Sequence, residues 1–174
     1  MDVIRQRITS MSLIHKSLYE HSVATIDIQQ YAENLVGSIR QFHPDVANGN
    51  IEVMLDVEKE TLDVDTALPV GLVLNELITN CLKHGFADLS AGSKLNIIKI
   101  SFRRVEDNFV MTVTDNGTGL PEGFDVNSPQ SMGSELILIF SQQLDGDIKA
   151  LNEPSGGASF TLTFPVPVNR ETEE

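Results

Sequence analysis

The chain has 174 residues, of which 41% are hydrophobic and 21% charged, so it can form one domain with a packed core and a short appendage. The formal net charge of −13 argues against binding to nucleic acids or anionic membranes, because both require clusters of Lys and Arg. A nucleotide stays compatible with this charge, since a small phosphate site needs only local donors and a metal ion. The single cysteine, Cys81, excludes an internal disulfide. The apolar runs are too short to span a bilayer and no signal peptide opens the chain, so we expect a cytoplasmic protein without membrane contact.

The first part of the chain predicts two helices and a strand. Residues 2–20 have apolar side chains at intervals of three and four, which is typical of an amphipathic helix that packs on another surface. This helix either docks on its own domain or forms half of a helical hairpin or dimer stalk. A second helix is predicted over Ile28–Phe42, with Asp27 as its N-cap and its end before Pro44. Apolar and polar residues then alternate over 51–57, which predicts a half-buried strand.

The rest of the chain predicts helices and strands in a mixed order. Pro69 is expected to open a strongly apolar helix over 69–86. The elements predicted after it are strands over 95–105 and 109–114, a loop rich in Gly, Pro, Asn and Ser over 116–131, a helix over 132–144, and hairpin strands over 148–151 and 159–164. This arrangement favours an α+β two-layer sandwich.

The helix predicted over 69–86 carries polar residues on an otherwise apolar surface. At about 100° per residue, Glu76, Asn80 and Lys83 fall on one stripe, with His84 at its edge. Burying a carboxylate and a carboxamide one turn apart is costly unless something pairs with them. They form a structural network or a solvent-facing side, or they hold a hydrated cation, with Asn80 as oxygen ligand and Glu76 as a base. Spacing alone slightly favours the structural interpretation.

A glycine-containing loop, DNGTG at 115–119, directly follows a predicted strand. A carboxylate at the end of a strand can accept a hydrogen bond from an exocyclic amine, and the glycines allow close approach of the backbone. A turn that closes a hairpin would give a similar pattern. The loop over 116–131 is too long for a simple hairpin turn, however, and long loops in compact domains are often lids or binding elements.

Three motifs, taken in chain order, resemble those of the GHKL ATPases. Residues 74–80 (LNELITN) with 83–86 (KHGF) resemble the asparagine box, 115–120 (DNGTGL) the first glycine box, and 156–162 (GGASFTL) the closing box. Residues 65–77 (DTALPVGLVLNEL) and the pattern over 7–19 are similar to the HisKA_2 and HWE-type histidine kinases. The resemblance extends from about residue 7 to 165.

The resemblance implies a Bergerat-type sandwich, with a mixed sheet covered by helices on one face and preceded by an N-terminal helix. It divides the chain into the remnant second helix of a dimerisation and histidine-phosphotransfer hairpin (1–22), a catalytic ATP-binding domain (23–168) and a disordered tail (169–174). ATP and Mg²⁺ are the implied ligands.

The resemblance also implies roles for single residues. Glu76 is the implied acid–base residue, and Asn80 is the implied magnesium ligand. Lys83 and His84 are placed near the phosphates, Asp115 at the adenine amine, Gly117 and Gly119 in the pocket wall, Gly133 at the end of the lid, and Thr161 as support for Asp115. The implied nucleotide-binding set is therefore Asn80, Lys83, His84, Asp115, Gly117, Gly119, Leu120, Gly133 and Thr161.

Two features depart from the family pattern. In such kinases a histidine followed by arginine and later by asparagine begins the first hairpin helix. That pattern fits none of the four histidines, which are His15, His21, His43 and His84. The phosphoacceptor is therefore expected elsewhere, on another chain or in a longer parent, and autophosphorylation by this chain alone is not expected. The second glycine box, SMGSE at 131–135, keeps one glycine, which predicts weaker ATP binding.

Three functions compete on these grounds. The first is the catalytic domain of a two-component histidine kinase, which transfers the γ-phosphoryl group of ATP to a histidine, works with a response regulator or other phosphoacceptor protein, and forms a homodimer through its N-terminal helix. The second is a serine kinase of the anti-sigma-factor type, which explains the missing acceptor but not the match over 7–19. The third is a degenerate phosphotransfer or scaffold module without ATP affinity. The retained polar stripe favours ATP binding.

Overall fold

The computed structural model describes residues 25–86 and 95–167. The predicted helix over 2–20, the hairpin remnant over 1–22 and the tail over 169–174 lie outside these residues. The helices are α1 (Ile28–Phe42), α2 (Pro44–Ala47), α3 (Val64–Asn80), a π-helical turn (Cys81–Gly85) and α4 (Met132–Gln143). The strands are β1 (Thr25–Asp27), β2 (Ile51–Val57), β3 (Thr61–Asp63), β4 (Asn96–Val105), β5 (Asn108–Asp115), β6 (Asp147–Asn152) and β7 (Ala158–Pro165).

Five strands form one mixed sheet in the order β2-β4-β5-β7-β6. The β2–β4 pair is parallel and the other three pairs are antiparallel, while β1 and β3 form a separate antiparallel ribbon. Along β5 every second residue is buried, from Phe109 to Asp115, and the residues between them are partly exposed. One face of the sheet is therefore covered by helices and the other faces solvent. The α+β sandwich predicted from the sequence is confirmed.

Helix α1 begins and ends where the sequence predicts. The Asp27 carboxylate accepts a hydrogen bond from the Gln30 amide at 3.0 Å and so caps the helix. Six residues on one side are buried, including Tyr31, Leu35 and Ile39, which fixes the helix against the core.

Helix α3 begins earlier than predicted. Its N-cap is Asp63, whose carboxylate accepts from the Thr66 amide at 2.8 Å, so the helix starts at Val64 and Pro69 lies inside it. Proline lacks the amide that would bond to the carbonyl of Asp65, but Asp65 is exposed, so water can replace that donor. The cap and the burial of the first turns against the core outweigh the start signal of the proline.

The predicted strands over 51–57, 95–105, 109–114, 148–151 and 159–164 and the helix over 132–144 agree with the structure to within one residue at each end, whereas α2, β1, β3 and the π-helical turn were not predicted. Helix α4 starts at Met132 behind a capping box in which Ser131 and Ser134 bond to each other's backbone. Strands β6 and β7 form the predicted hairpin, with Asn152 opposite Ala158 at its end. Within the part of the chain that the structure describes, no helix is long and apolar enough to cross a membrane.

The core lies between the sheet and the helices α1 and α3. The two ends of the strands differ in the residues that they carry. The rings of Phe102, Phe109 and Phe164 cluster at one end, with centroids 5.3 to 6.3 Å apart. Asp115 lies at the other end of β5. The polar residues of interest therefore gather far from the aromatic cluster.

Candidate nucleotide-binding site

A cavity of about 600 Å³ opens where α3 ends. Its wall is formed by the end of α3 with the π-helical turn, the last residue of β5, the loop over 116–131, the start of α4 and the start of β7. This volume is in the range of small-molecule sites. The wall residues that bear on the argument are Asn80, Cys81, His84, Gly85, Asp115, Gly119, Leu120, Phe124, Ser131, Ser134 and Phe160.

Asp115 supplies a buried carboxylate at the inner end of the cavity. The residue is 4% exposed, and its Oδ1 accepts a hydrogen bond from the Gly117 amide at 2.9 Å, which fixes the carboxylate. Gly85 lies against it so closely that a Cβ there would be 3.1 Å from Oδ1. The missing side chain at position 85 leaves the carboxylate accessible from the cavity, where it can accept a hydrogen bond from a ligand amine.

Cys81 lies beside this carboxylate and is itself buried. Burial, then the negative charge of Asp115 and the hydrogen bond that the thiol donates to it, hold the pKa of Cys81 well above its usual range. The thiol therefore stays protonated and acts as a neutral donor. No local pattern around Cys81 signals its contact with Asp115, because the two residues are 34 positions apart.

The glycine loop is locked onto the end of α3. A Cβ at Gly117 would overlap the carbonyl of Gly85, so only glycine fits there. Thr118 donates twice to the π-helical turn, from its amide to the Gly85 carbonyl at 2.9 Å and from its hydroxyl to the His84 carbonyl at 3.1 Å. These contacts bring the asparagine-box and glycine-box segments together around one cavity.

The polar stripe of α3 is partly redirected by the π-helical turn. Asn80 is half-buried and His84 is exposed, and both line the cavity. Glu76 is 3% exposed and lies one turn before Asn80, outside the wall. Lys83 is exposed and also lies outside the wall, because a π-helical turn rotates later residues away from the angle of a regular helix.

Of two further predicted residues, Gly133 lies near the cavity wall and Thr161 lies away from it. Gly133 lies in the first turn of α4, between Ser131 and Ser134, both of which line the cavity. Thr161 is on the solvent face of the sheet, where its hydroxyl is 3.2 Å from the hydroxyl of Thr112. Asp115 points to the opposite, covered face, so the predicted support of Asp115 by Thr161 is wrong.

The loop over 116–131 forms a folded lid rather than an open segment. The ring of Phe124 meets that of Phe160 edge to face, with centroids 6.0 Å apart. Beyond it, Asp125 accepts hydrogen bonds from the Asn127 amide and the Ser128 hydroxyl, which hold the pKa of its carboxyl below the usual value. Val126 also packs against the core, so apolar contacts and one local turn hold the lid against the cavity.

The donors around the cavity fit magnesium better than a transition metal. Residues 25–86 and 95–167 contain no group of three or more His, Cys, Asp or Glu that could hold a metal ion by themselves. Mg²⁺ is usually held by one or two protein oxygens together with ligand phosphates and water. The Asn80 carboxamide, half-buried in the wall, supplies an oxygen of this type.

The fold and the cavity together define a nucleotide-binding sandwich of the GHKL class. The family model for "Histidine kinase-, DNA gyrase B-, and HSP90-like ATPase" matches residues 65–168. The chain belongs to this family, which confirms the resemblance read from the three motifs. A second model, HisKA_2, described as "Histidine kinase", matches residues 1–43.

The relatives are sensor kinases. The sensor histidine kinase PdtaS of Mycolicibacterium smegmatis is 26% identical over 164 residues, which cover 92% of this chain and 32% of the relative. The blue-light-activated histidine kinase 2 of Erythrobacter litoralis is 23% identical, over 98% of this chain and 48% of the relative. The chain therefore spans between about a third and a half of the length of these relatives.

Solved structures show the same fold. The histidine kinase domain of the Erythrobacter litoralis EL346 blue-light-activated kinase superposes with a TM-score of 0.81 at 23% identity, covering 95% of this chain and 75% of that one. The ATP-binding domain of PrrB from Mycobacterium tuberculosis gives a TM-score of 0.64 at 22% identity, covering 83% and 97%. The described residues thus share the fold of these two kinase domains.

Proposed function

We propose that the chain binds ATP with Mg²⁺ in this cavity and transfers the γ-phosphoryl group to a histidine that lies outside the described domain. The observation that carries the proposal is the buried carboxylate of Asp115, open to the cavity on the same wall as the half-buried Asn80. The two groups supply a base-recognising acceptor and a metal-binding oxygen in one space of about 600 Å³.

The adenine end of the site is assigned to Asp115. A carboxylate that is fixed by the Gly117 amide can accept a hydrogen bond from the exocyclic amine of adenine, whereas guanine presents a carbonyl oxygen at that position and would be repelled. The absence of a side chain at Gly85 leaves room for a flat base beside the carboxylate.

The phosphate end is assigned to the other side of the cavity. Asn80 would hold Mg²⁺, which neutralises phosphate charge when bound. His84 and the first turn of α4, which contains Gly133, would face the phosphates, because the amides at a helix N-terminus favour anions. Lys83 is exposed near this end and supplies a positive charge on a long side chain.

The transfer step needs mainly positioning and charge neutralisation. The nitrogen of the acceptor imidazole attacks the γ-phosphorus in line, the bond to the leaving ADP oxygen breaks, and the imidazole loses a proton. We assign Glu76, one turn from Asn80, to orient the acceptor and take up that proton. The match of residues 1–43 to a histidine kinase model supports histidine as the acceptor class rather than serine.

Nucleotide binding is tested by titration calorimetry with a non-hydrolysable ATP analogue, with and without Mg²⁺. Binding that depends on Mg²⁺ and is lost with the guanine analogue is the expected result. Failure to bind at millimolar nucleotide would contradict the proposal and would favour a phosphotransfer or scaffold module.

The acceptor class is tested separately with labelled ATP. The chain is mixed with a fragment that carries the acceptor-histidine box of a relative, or with a Ser/Thr-containing substrate protein of the anti-sigma-factor pathway. We expect label on the histidine fragment, released by acid and stable to base. Acid-stable label on the serine substrate would identify a serine kinase instead.

Assembly and signalling partners follow from the same proposal. The apolar pattern over residues 2–20 suits one half of a helical hairpin, so we propose a homodimer through this segment and a response regulator as the downstream partner. Sedimentation at increasing concentration tests the dimer, and a strictly monomeric profile at high concentration would contradict it.

A further inference from the structure

Strand β6, at the edge of the sheet, contacts Gly119 and Leu120, which we call the root of the lid. Asn152, the last residue of β6, has both ends of its side-chain amide on the backbone of one lid residue. Its Oδ1 accepts from the Leu120 amide at 2.6 Å, and its Nδ2 approaches the Leu120 carbonyl at 3.4 Å. The side-chain amide thus pairs with both the donor and the acceptor of the Leu120 backbone.

The backbone of the lid is shaped for this contact. Gly119, just before Leu120, has a φ of +81°, which disfavours any side chain, and a Cβ there would be 2.7 Å from Asn152 Oδ1. The glycine in the first glycine box therefore serves the approach of Asn152 as well as the shape of the cavity wall.

Asn152 itself rests on a rigid base. It pairs with Ala158 across the β6–β7 hairpin, and Ala158 and Phe160 of β7 line the cavity. Leu120 and Gly119 line the same cavity from the lid side. A change in the Asn152 contact would therefore move one cavity wall relative to another, although Asn152 is not itself part of the wall.

Beyond this point, Val126 packs against the core, and the other described contacts of the lid are few. Between Pro121 and Gln130 the hydrogen bonds that the structure describes are local, such as Phe124 to Pro121 and Ser128 to Asp125. The Phe124–Phe160 ring contact is the one described aromatic tie from this stretch to the sheet. The next fixed point is the capping box of Ser131 and Ser134 at α4.

We infer that Asn152 is a positioning residue that anchors the root of the lid at Leu120 and thereby sets the closed position of the lid over the nucleotide. Its side chain acts on Leu120 and does not touch the reacting atoms. The nucleotide part of this inference rests on the proposed function, whereas the anchoring of the lid does not.

The test compares Asn152→Ala with Asn152→Asp in the full chain. The Asp side chain keeps the acceptor for the shorter bond, so it should retain the anchor, and Ala removes both bonds. Leu151→Ala is the matched control, because Leu151 is exposed on the same strand and its side chain points to the other face.

The first readout is independent of nucleotide. A glutamyl endopeptidase cleaves after Glu122 in the lid, and mass spectrometry separates this cut from cuts at other glutamates. We expect Asn152→Ala to raise the rate of cleavage after Glu122 by about two- to tenfold, in line with the loss of a typical hydrogen bond, with Asn152→Asp and Leu151→Ala close to the unmodified chain. Equal cleavage in all four proteins would overturn the inference, and so would an equal rise at every glutamate, since that reports general unfolding.

The second readout is affinity for a non-hydrolysable ATP analogue with Mg²⁺. We expect Asn152→Ala to weaken binding by about two- to tenfold and Asn152→Asp to restore most of it. Unchanged affinity in Asn152→Ala would overturn the assigned effect on the closed lid. If the unmodified chain binds no nucleotide while Asn152→Ala still speeds cleavage after Glu122, the proposed function fails and the anchor stands.

Discussion

At the residue scale, the site depends on the fixed carboxylate of Asp115. One of its oxygens accepts the Gly117 amide at 2.9 Å, and the thiol of Cys81 donates to it from within the cavity wall. Both contacts use groups that have no charge, so the negative charge of Asp115 stays uncompensated by these neighbours. A ligand that brings a donor to this position therefore gains a charge-assisted hydrogen bond.

The substitution Asp115→Asn tests this assignment. The introduced carboxamide would present a donor or a weaker acceptor to adenine, so we expect the affinity for the ATP analogue to fall by about ten- to a hundredfold, which corresponds to the loss of a hydrogen bond to a charged group. Calorimetry measures the change. Asp56→Asn is the control, because it removes the same charge from a surface ion pair with Arg103. Equal affinity in the Asp115 variant and the control would contradict the assigned role.

The raised pKa of Cys81 gives a prediction about pH. A thiol whose pKa is higher in the folded chain than in the unfolded chain contributes to the free energy of unfolding. This contribution is complete below the unfolded pKa of about 8.5, and it is lost as the pH rises further. We expect the native thiol to react with iodoacetamide far more slowly than the urea-unfolded thiol at about pH 9, just above that unfolded pKa. Reaction with a midpoint near pH 8.5 in the native chain would show that burial and Asp115 do not protect it.

At the scale of the secondary-structure elements, α3 carries most of the functional residues and its start was predicted wrongly. Proline is common as the first residue of a helix, so Pro69 predicts a helix start. That local signal contains no information on the burial of the preceding turn. In the structure Thr66 and Ala67 are buried and Asp63 caps the helix. The helix therefore begins at Val64, five residues before Pro69, because tertiary packing stabilises its first turn. A local start signal cannot report such packing.

The cap of α3 can be tested with a charge-matched pair of variants. Asp63 accepts the Thr66 amide at 2.8 Å, whereas Asp65 is exposed in the first turn of the same helix. We expect Asp63→Ala to lower the free energy of unfolding by about 1 kcal/mol and Asp65→Ala to lower it by less, because only Asp63 satisfies a free helix amide. Urea unfolding measures both. An equal loss in the two variants would mean that charge at the helix end, and not the cap, is what matters.

At the scale of the whole molecule, the aromatic cluster and the site occupy opposite ends of the sheet. Asp115 and Phe109 lie at opposite ends of β5, which is about 20 Å at the usual rise of a strand. The aromatic cluster of Phe102, Phe109 and Phe164 packs the end without the cavity. Stability and binding are therefore expected to be separable by mutation.

Truncation of Phe164, which is 1% exposed, tests this separation. We expect Phe164→Ala to lower the free energy of unfolding by about 3 to 5 kcal/mol, while the folded fraction keeps its nucleotide affinity. Phe42→Ala is the control, because Phe42 is 65% exposed and its removal should cost little. Unfolding is followed by urea titration and binding by calorimetry below the unfolding transition. A matching loss of affinity in the folded fraction would show that the two ends of the sheet are coupled.

Local sequence patterns were sufficient to predict the class of domain and most of its elements. The alternation over 51–57, the cap at Asp27 and the glycine-containing loop at 115–119 are local patterns, and each predicts structure without knowledge of the rest of the chain. The motif order 74–86, 115–120 and 156–162 likewise predicted the family that the comparison with known proteins shows.

The contacts between residues that are distant along the chain follow from the folded arrangement alone. Asn152 contacts Leu120 across 32 positions, Cys81 contacts Asp115, and Thr161 lies on the face of the sheet away from Asp115. These contacts depend on strand order and register, which bring segments together irrespective of their separation along the chain. The alternation of Phe160 and Leu162 with threonine already indicates the face of Thr161 in β7, whereas no local pattern could have assigned Asn152 to the lid.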